Sequence, residues 1–144
     1  MLRPILEITY LSTIIYLSTL YYRLFLNVVR LRRKTKTSIG SKNMQLKRAV
    51  RAHSNFCETV PFICLISFIL YFNNYLFICV PMMLILAIGR FIHARSIIDL
   101  NENLENRRKG MKLTIYSMFL GIFGLIYYIT HLIYFSMQAF FNTI

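Results

Sequence analysis

Residues 59–89 read TVPFICLISFILYFNNYLFICVPMMLILAIG and contain no charged residue, which makes them the most informative part of the chain for its fold. One transmembrane helix needs about 20 apolar residues to cross the hydrocarbon of a bilayer. The stretch is too long for one such helix, and its only adjacent pair of polar residues is Asn73-Asn74, near the middle. It therefore predicts two apolar helices joined by a tight turn at these two asparagines.

The turn leaves 14 residues before it and 15 after it, so neither part spans the hydrocarbon alone. Each helix must therefore continue into its charged flank. Asn55 and Glu58 in the first flank, and Arg90 and His93 in the second, then lie at or just below the membrane surface, at the end opposite the turn. Ionisable side chains at that depth are costly and are candidates for function.

The composition of the whole chain favours a membrane protein. Hydrophobic residues make up 57% of the 144 residues and charged residues only 15%. The net charge is +12, and 14 of the 17 Lys and Arg lie in or beside two short polar stretches. Short basic loops face the cytoplasm, so both loops are expected there, with both termini on the other side. This placement favours contact with lipid headgroups and argues against a nucleic-acid partner.

We therefore predict an all-α integral membrane protein with one domain, residues 1–144. Its four transmembrane helices are expected at about 4–32, 44–72, 75–97 and 111–138, with a mixed-charge loop at 99–109. The three cysteines lie in apolar segments without a Cys-x-x-Cys pair, which predicts free thiols and no metal site.

One face of the second helix carries the chemistry. Arg48, Arg51, Asn55 and Glu58 are spaced 3, 4 and 3 residues apart, which places them on one side of an α-helix. Arginines bind carboxylates in bidentate fashion, and a glutamate accepts an ammonium group, so this face suits a zwitterionic or anionic small molecule. The structural alternative is that Glu58 pairs with Arg90 and that the other two arginines are topology signals.

Four stretches resemble the MAPEG family, the membrane-associated proteins of eicosanoid and glutathione metabolism. Residues 51–61 (RAHSNFCETVP) are similar to the family's Arg-Ala-His-x-Asn-x-x-Glu motif, and residues 89–94 (GRFIHA) to its Gly-Arg-x-x-His motif. Residues 107–114 (RRKGMKLT) resemble the start of helix four in bacterial members, and residues 29–34 (VRLRRK) the end of helix one in the prostaglandin-forming synthase. The resemblance covers nearly the whole chain in consistent order, and it is closest to bacterial proteins similar to microsomal glutathione transferases.

The resemblance implies a homotrimer that binds glutathione between subunits near the cytoplasmic face. The implied glutathione-binding residues are Arg30, Arg51, His53, Asn55, Glu58 and His93, with Arg30 reaching the ligand from the neighbouring subunit. Arg48 and Arg90 would be structural or form the pocket wall. The resemblance places a catalytic arginine at the start of helix four, where Arg107 and Arg108 are the candidates and Lys109 is a further one. Such a cation lowers the pKa of a nearby thiol from about 8.5 and increases the thiolate fraction.

The expected function is conjugation of glutathione to a hydrophobic electrophile, or reduction of an electrophile or peroxide by it, in the bacterial inner membrane. Glutathione is the expected co-substrate, and no metal is expected. Ser54 and Ile97 depart from family members that carry an arginine and a tyrosine there, which leaves a non-catalytic membrane subunit as an alternative. A small multidrug-type transporter is the other alternative, but Glu58 lies near one helix end among arginines, which counts against proton coupling.

Overall fold

The computed structural model describes residues 2–41, 43–101 and 103–142, and these residues form four α-helices. The helices are α1 (Leu2–Thr35), α2 (Met44–Phe72), α3 (Leu76–Ile98) and α4 (Leu104–Asn142). In the described parts of the chain, α3 packs against each of the other three helices, whereas α1 and α4 do not pack against each other. The third helix is therefore the centre of the bundle.

Three of the four helices formed by the described residues, α2, α3 and α4, are long and apolar enough to cross a membrane. The first helix has 34 residues but does not meet this criterion. Its uncharged section, residues 8–22, contains nine Ser, Thr and Tyr residues, which lower its mean hydropathy. The prediction of an all-helical bundle is confirmed, and length and composition support membrane crossing for three of its helices.

The first helix nevertheless packs along the bundle through one stripe. Its buried residues are Tyr10, Thr13, Leu17 and Leu24, which recur every three, four or seven positions. The hydroxyl of Tyr10 lies 3.0 Å from the hydroxyl of Ser67 on α2, and its ring stacks on Tyr71. A buried polar pair of this kind holds α1 in one rotational setting against α2.

The fourth helix approaches the third very closely because its inner stripe consists of small residues. The buried residues of α4 are Gly110, Thr114, Ser117, Gly121 and Gly124, spaced 4, 3, 4 and 3 apart. Ser117 donates a hydrogen bond of 2.8 Å to the backbone carbonyl of Met82. Small residues at such spacing let membrane helices pack backbone to backbone.

The two ends of the bundle differ in character. At one end, Arg3 donates to the side-chain oxygen of Asn74, and the hydroxyl of Tyr75 lies 3.3 Å from Nδ1 of His131, so the start of α1 and the His131 turn of α4 lie beside the α2–α3 turn. At the other end, Arg48 donates to the backbone carbonyl of Asp99, which joins the two loop regions. The basic loops therefore share one end of the bundle, opposite the α2–α3 turn.

The predicted boundaries of the fourth helix are wrong. It begins at Leu104 instead of about 111, so the second half of the expected loop at 99–109 is helical. The side-chain oxygen of Asn103 accepts a hydrogen bond from the backbone of Asn106, and Glu105 pairs with Lys109 one turn later. These interactions satisfy and stabilise a helix start within polar sequence. The same helix continues to Asn142, beyond the expected end at 138, and α1 continues to Thr35, beyond 32.

The outer surface of the bundle is strongly apolar. On α2, Phe62, Leu65 and Phe68 each expose more than half of their accessible area, whereas Met82 and Leu86 on α3 are completely buried. Water-soluble monomers rarely expose contiguous apolar patches of more than a few hundred Å². The surface is therefore suited to contact with lipid.

Candidate functional site

A cavity of about 400 Å³ opens at the basic end of the bundle, between α2, α3 and α4. It is lined by Arg51, Asn55, His93, Leu104, Arg107, Arg108 and Met111. Five of these seven residues were predicted from the sequence as site residues. Leu104 and Met111 give the cavity an apolar wall beside its polar one.

The cavity is positively charged. Three of its lining residues are arginines, and none of the described lining residues is acidic. Arg51 and Arg108 are exposed, and neither forms a hydrogen bond or ion pair with any other residue that the structure describes. Guanidinium groups in this state attract carboxylates and other anions.

A second cleft of about 280 Å³ adjoins the first on the side of α2 and the end of α3. Arg51 and Arg107 line both spaces, so the two form one continuous basic surface. Lys47 and Arg48 extend the positive charge along the second cleft, and Ile97 contributes apolar area to it. The combined surface can hold an elongated ligand with more than one anionic group.

His93 is held in one orientation at the cavity wall. It is 3% exposed, and its Nδ1 atom lies 3.1 Å from the backbone carbonyl of Arg107. Because a carbonyl only accepts hydrogen bonds, Nδ1 carries a proton, and this assigns the tautomer. In the neutral ring Nε2 is then an acceptor, and it is buried without a hydrogen-bond partner in the described parts of the chain.

Arg90 lies beneath the cavity and connects α3 to α2. Its side chain is 1% exposed, and Nη1 donates a hydrogen bond of 2.9 Å to the hydroxyl of Thr59. The same hydroxyl donates to the backbone carbonyl of Asn55, also at 2.9 Å. The Glu58–Arg90 ion pair weighed from the sequence is absent from the described residues, in which Arg90 instead bonds to a neutral hydroxyl.

Arg48 has a structural position at the end of α3. Its Nη1 atom donates to the backbone carbonyls of Ile97 and Asp99, at 3.1 and 2.8 Å. Carbonyls in the last turn of a helix lack partners within that helix, and a basic side chain supplies them. Arg48 therefore fixes the end of α3 against α2, beside the cleft that it also lines.

Three of the predicted glutathione-binding residues lie elsewhere in the single chain. His53 faces α1, where its ring lies 5.3 Å from that of Tyr21, and its Nε2 atom is 3.7 Å from the sulfur of Cys57. Glu58 is exposed on α2, and Arg30 is exposed on α1. None of the three lines the basic cavity, so their roles in binding stay predictions.

Sequence reasoning missed the role of Thr59. Its position four residues after Asn55 places both on the same face of α2, and this spacing is visible in the sequence. Leu104 and Met111 were missed as cavity residues because the helix was expected to begin at about 111, and a helix that begins at Leu104 presents both at the cavity.

The fold is that of a helical membrane protein: three of its helices are long and apolar enough to span a bilayer, its outer surface is apolar, and a basic cavity opens at one end of the bundle. The MAPEG family model matches residues 10–136, which is most of the chain. The protein belongs to the MAPEG family, as its motifs predicted, and is an integral membrane protein. A search of curated proteins finds no match to the chain.

Proposed function

We propose that this protein is a glutathione-dependent membrane enzyme that transfers glutathione to a hydrophobic electrophile. The observation that carries the proposal is the convergence of Arg51, Asn55, His93, Arg107 and Arg108 on one cavity in a member of the MAPEG family. Members of this family include glutathione transferases and peroxidases as well as non-catalytic proteins.

The chemistry of the cavity suits glutathione. The tripeptide has two carboxylates, one ammonium group and one thiol, and Arg51 lies where the two basic clefts meet. The volume of about 400 Å³ is within the range of small-molecule sites. We assign the carboxylates to Arg51 and the adjoining basic residues, and the thiol to the vicinity of Arg107 and Arg108.

In the proposed reaction, a guanidinium group of α4 stabilises the glutathione thiolate, and the thiol proton passes to water. The sulfur attacks an electrophilic carbon of the second substrate, a carbon–sulfur bond forms, and the bond to the leaving group breaks with its electron pair. With a hydroperoxide as the second substrate, the thiolate attacks the terminal oxygen, the oxygen–oxygen bond breaks, and the leaving alkoxide takes up a proton to give an alcohol and a sulfenic acid of glutathione. A second glutathione thiol then displaces the sulfenic hydroxyl as water and forms glutathione disulfide. A lipophilic second substrate would reach the site from the bilayer, along the apolar surface.

We further propose a homotrimer with the basic end of the bundle in the cytoplasm, in the bacterial inner membrane. Arg30 and Glu58 are exposed on the outside of the single chain. In a trimer, such residues would contribute to a glutathione site that lies between their own subunit and its neighbour. The position of both basic loops at one end supports this orientation, because short basic loops remain cytoplasmic.

The proposal is tested by titrating detergent-solubilised protein with glutathione in a calorimeter. Wild-type protein should bind saturably, and Arg51→Ala and Arg108→Ala should each weaken binding at least roughly tenfold, because each removes a charge-assisted contact. Lys112→Ala is the matched control, since Lys112 is an exposed cation one turn after Arg108 and does not line the cavity.

Saturable binding that Arg51→Ala and Arg108→Ala weaken, with Lys112→Ala unchanged, supports the site. Absence of binding by folded wild-type protein would refute the proposal. Equal weakening by all three variants would show a general charge effect and no defined site.

A second candidate function is glutathione binding without catalysis. It is favoured by Ile97, a buried apolar residue that supplies no hydroxyl to the cleft that it lines. The two functions predict a different ionisation and reactivity of the thiol of bound glutathione. An enzyme should show the ultraviolet absorbance of a thiolate below the ordinary pKa of the thiol and should consume a chromogenic aryl halide, whereas a binding protein should do neither.

A further inference from the structure

A separate cleft of about 300 Å³ lies on the outer side of the bundle between α1 and α3. Its lining combines two arginines and an asparagine, Arg23, Arg95 and Asn27, with an apolar floor that includes Leu24 and Phe91. None of these five residues lines the basic cavity described above. The cleft is therefore a distinct feature of the surface.

Both arginines of this cleft are available to a ligand. Arg23 and Arg95 are exposed, and neither forms a hydrogen bond or an ion pair with another residue that the structure describes. Asp99, one turn after Arg95, lies outside the cleft and accepts a hydrogen bond from the backbone of Asn101. The described lining of the cleft contains two cations and no acidic residue, so it is net positive, while Asp99 lies beside Arg95 in the lining of a neighbouring cleft.

The depth of the two arginines follows from the helices. Arg3 contacts Asn74 at the α2–α3 turn, and Arg23 lies 20 residues further along α1, or roughly 30 Å. Arg95 lies 19 residues after Leu76, the first residue of α3, which is also roughly 30 Å from the turn. The hydrocarbon of a bilayer has about this thickness, so both cations lie at the boundary on the side of the basic loops.

The apolar part of the cleft lies at the same level. Phe91 is 45% exposed and lies one turn from Arg95 towards the membrane centre, and the buried Leu24 closes the floor. A ligand that fits this arrangement has an anionic group for the arginines and a hydrocarbon chain for the floor. An inorganic phosphate would leave the apolar floor of the cleft uncovered, and an uncharged lipid would leave the two arginines without a counterion.

We propose that the α1–α3 cleft binds one anionic phospholipid. The phosphate lies between Arg23 and Arg95, Asn27 donates to the headgroup, and an acyl chain runs along Phe91 towards the membrane centre. Headgroup recognition by basic residues at the cytoplasmic boundary is worth roughly a fivefold change in affinity for each cation. This inference does not depend on glutathione binding or on catalysis.

The test is native mass spectrometry of detergent-purified protein with added phosphatidylglycerol or phosphatidylcholine. The double variant Arg23→Gln/Arg95→Gln is compared with the control Arg33→Gln/Lys112→Gln, which removes the same charge from exposed positions outside the cleft. Wild type and control should retain phosphatidylglycerol in preference to phosphatidylcholine. The cleft variant should lose this preference by roughly 25-fold, from two contributions of about fivefold each.

Equal retention by the two double variants would overturn the proposal, because it would indicate a general charge effect or a cleft covered by a second copy of the chain. Equal retention of the two lipids by wild type would overturn it as well. Displacement of the lipid by inorganic phosphate at equal concentration would show a phosphate site and would also overturn it. If thermal melting shows that the double variant is unstable, Arg23→Gln and Arg95→Gln replace it singly, and each should show part of the loss.

Discussion

The close contact between α3 and α4 makes Gly110→Ala the most informative substitution in this protein. A methyl group on Gly110 would lie 2.7 Å from the backbone nitrogen of His93 and 2.8 Å from the backbone carbonyl of Gly89. Ordinary van der Waals contact begins at 3.4 Å. Because both obstacles are backbone atoms, the two helices must separate locally by roughly 0.7 Å.

The expected loss of unfolding free energy in Gly110→Ala follows from two opposing effects. Overpacking a tight helix contact costs about 1–3 kcal/mol, and the cost should be at the upper end where backbone must move. Alanine has a better helix propensity than glycine by about 1 kcal/mol, which offsets part of this. The net loss of unfolding free energy should be about 2 kcal/mol, or a fall in Tm of about 4–8 °C for a chain of this size.

The same separation should weaken the site. His93 donates to the backbone carbonyl of Arg107 across this contact, at 3.1 Å. If the helices move apart, the ring loses the bond that orients it, and Arg107 moves away from α2. Gly110→Ala should therefore reduce both the thermal stability and the affinity for glutathione.

Thermal unfolding in detergent and calorimetric titration check these two effects. Gly121→Ala is the matched control, because its methyl group would meet the flexible side chain of Met82 and a methyl group of Ile66 rather than backbone. Gly121→Ala should lower the unfolding free energy by clearly less than Gly110→Ala does, and it should leave glutathione binding unchanged. A Tm of Gly110→Ala equal to that of wild type, or an equal fall in Tm for Gly121→Ala, would show that the backbone contact at Gly110 does not limit the approach of the two helices.

Three further predictions follow from single contacts. Thr59→Ala should lower the unfolding free energy by about 1–3 kcal/mol, because it leaves the buried Arg90 guanidinium without its hydroxyl acceptor; thermal unfolding measures the loss, and Thr59→Ser should restore most of it. Tyr10→Phe should cost only about 0.6 kcal/mol in the same assay, since it removes one hydrogen bond to Ser67 but keeps the stacked ring; a cost as large as that of Thr59→Ala would contradict this. Added salt should weaken glutathione binding to wild type more than to Arg108→Gln, because screening acts on exposed charges. If the dissociation constant for glutathione rises by the same factor between low and high salt for both proteins, Arg108 is not the cation that binds the ligand.

The class of the protein and the order of its helices could be predicted from the sequence alone. The uncharged stretch at 59–89 with its central asparagine pair already indicates two helices and a turn, and the structure has that turn between Phe72 and Leu76. The spacing of charges separates the apolar segments from one another without any tertiary information, although it does not show that the charged residues 104–109 are helical. The motifs at 51–61 and 89–94 led to the family, because functional groups at characteristic spacing are local features of the chain.

Which side chains contact one another could not be predicted without the packed helices. Arg51, Asn55 and Glu58 share one helical face in the sequence, yet the first two line the cavity and the third is exposed outside it. Periodicity assigns residues to a face, but how far along that face a cavity extends is decided by the packing of the neighbouring helices, and Glu58 lies the furthest of the three from the basic end. Contacts between helices decide the hydrogen-bond partner of Arg90 and the orientation of His93, and a capping hydrogen bond supports the start of α4 at Leu104. Hydropathy and charge along the chain predict none of these three features.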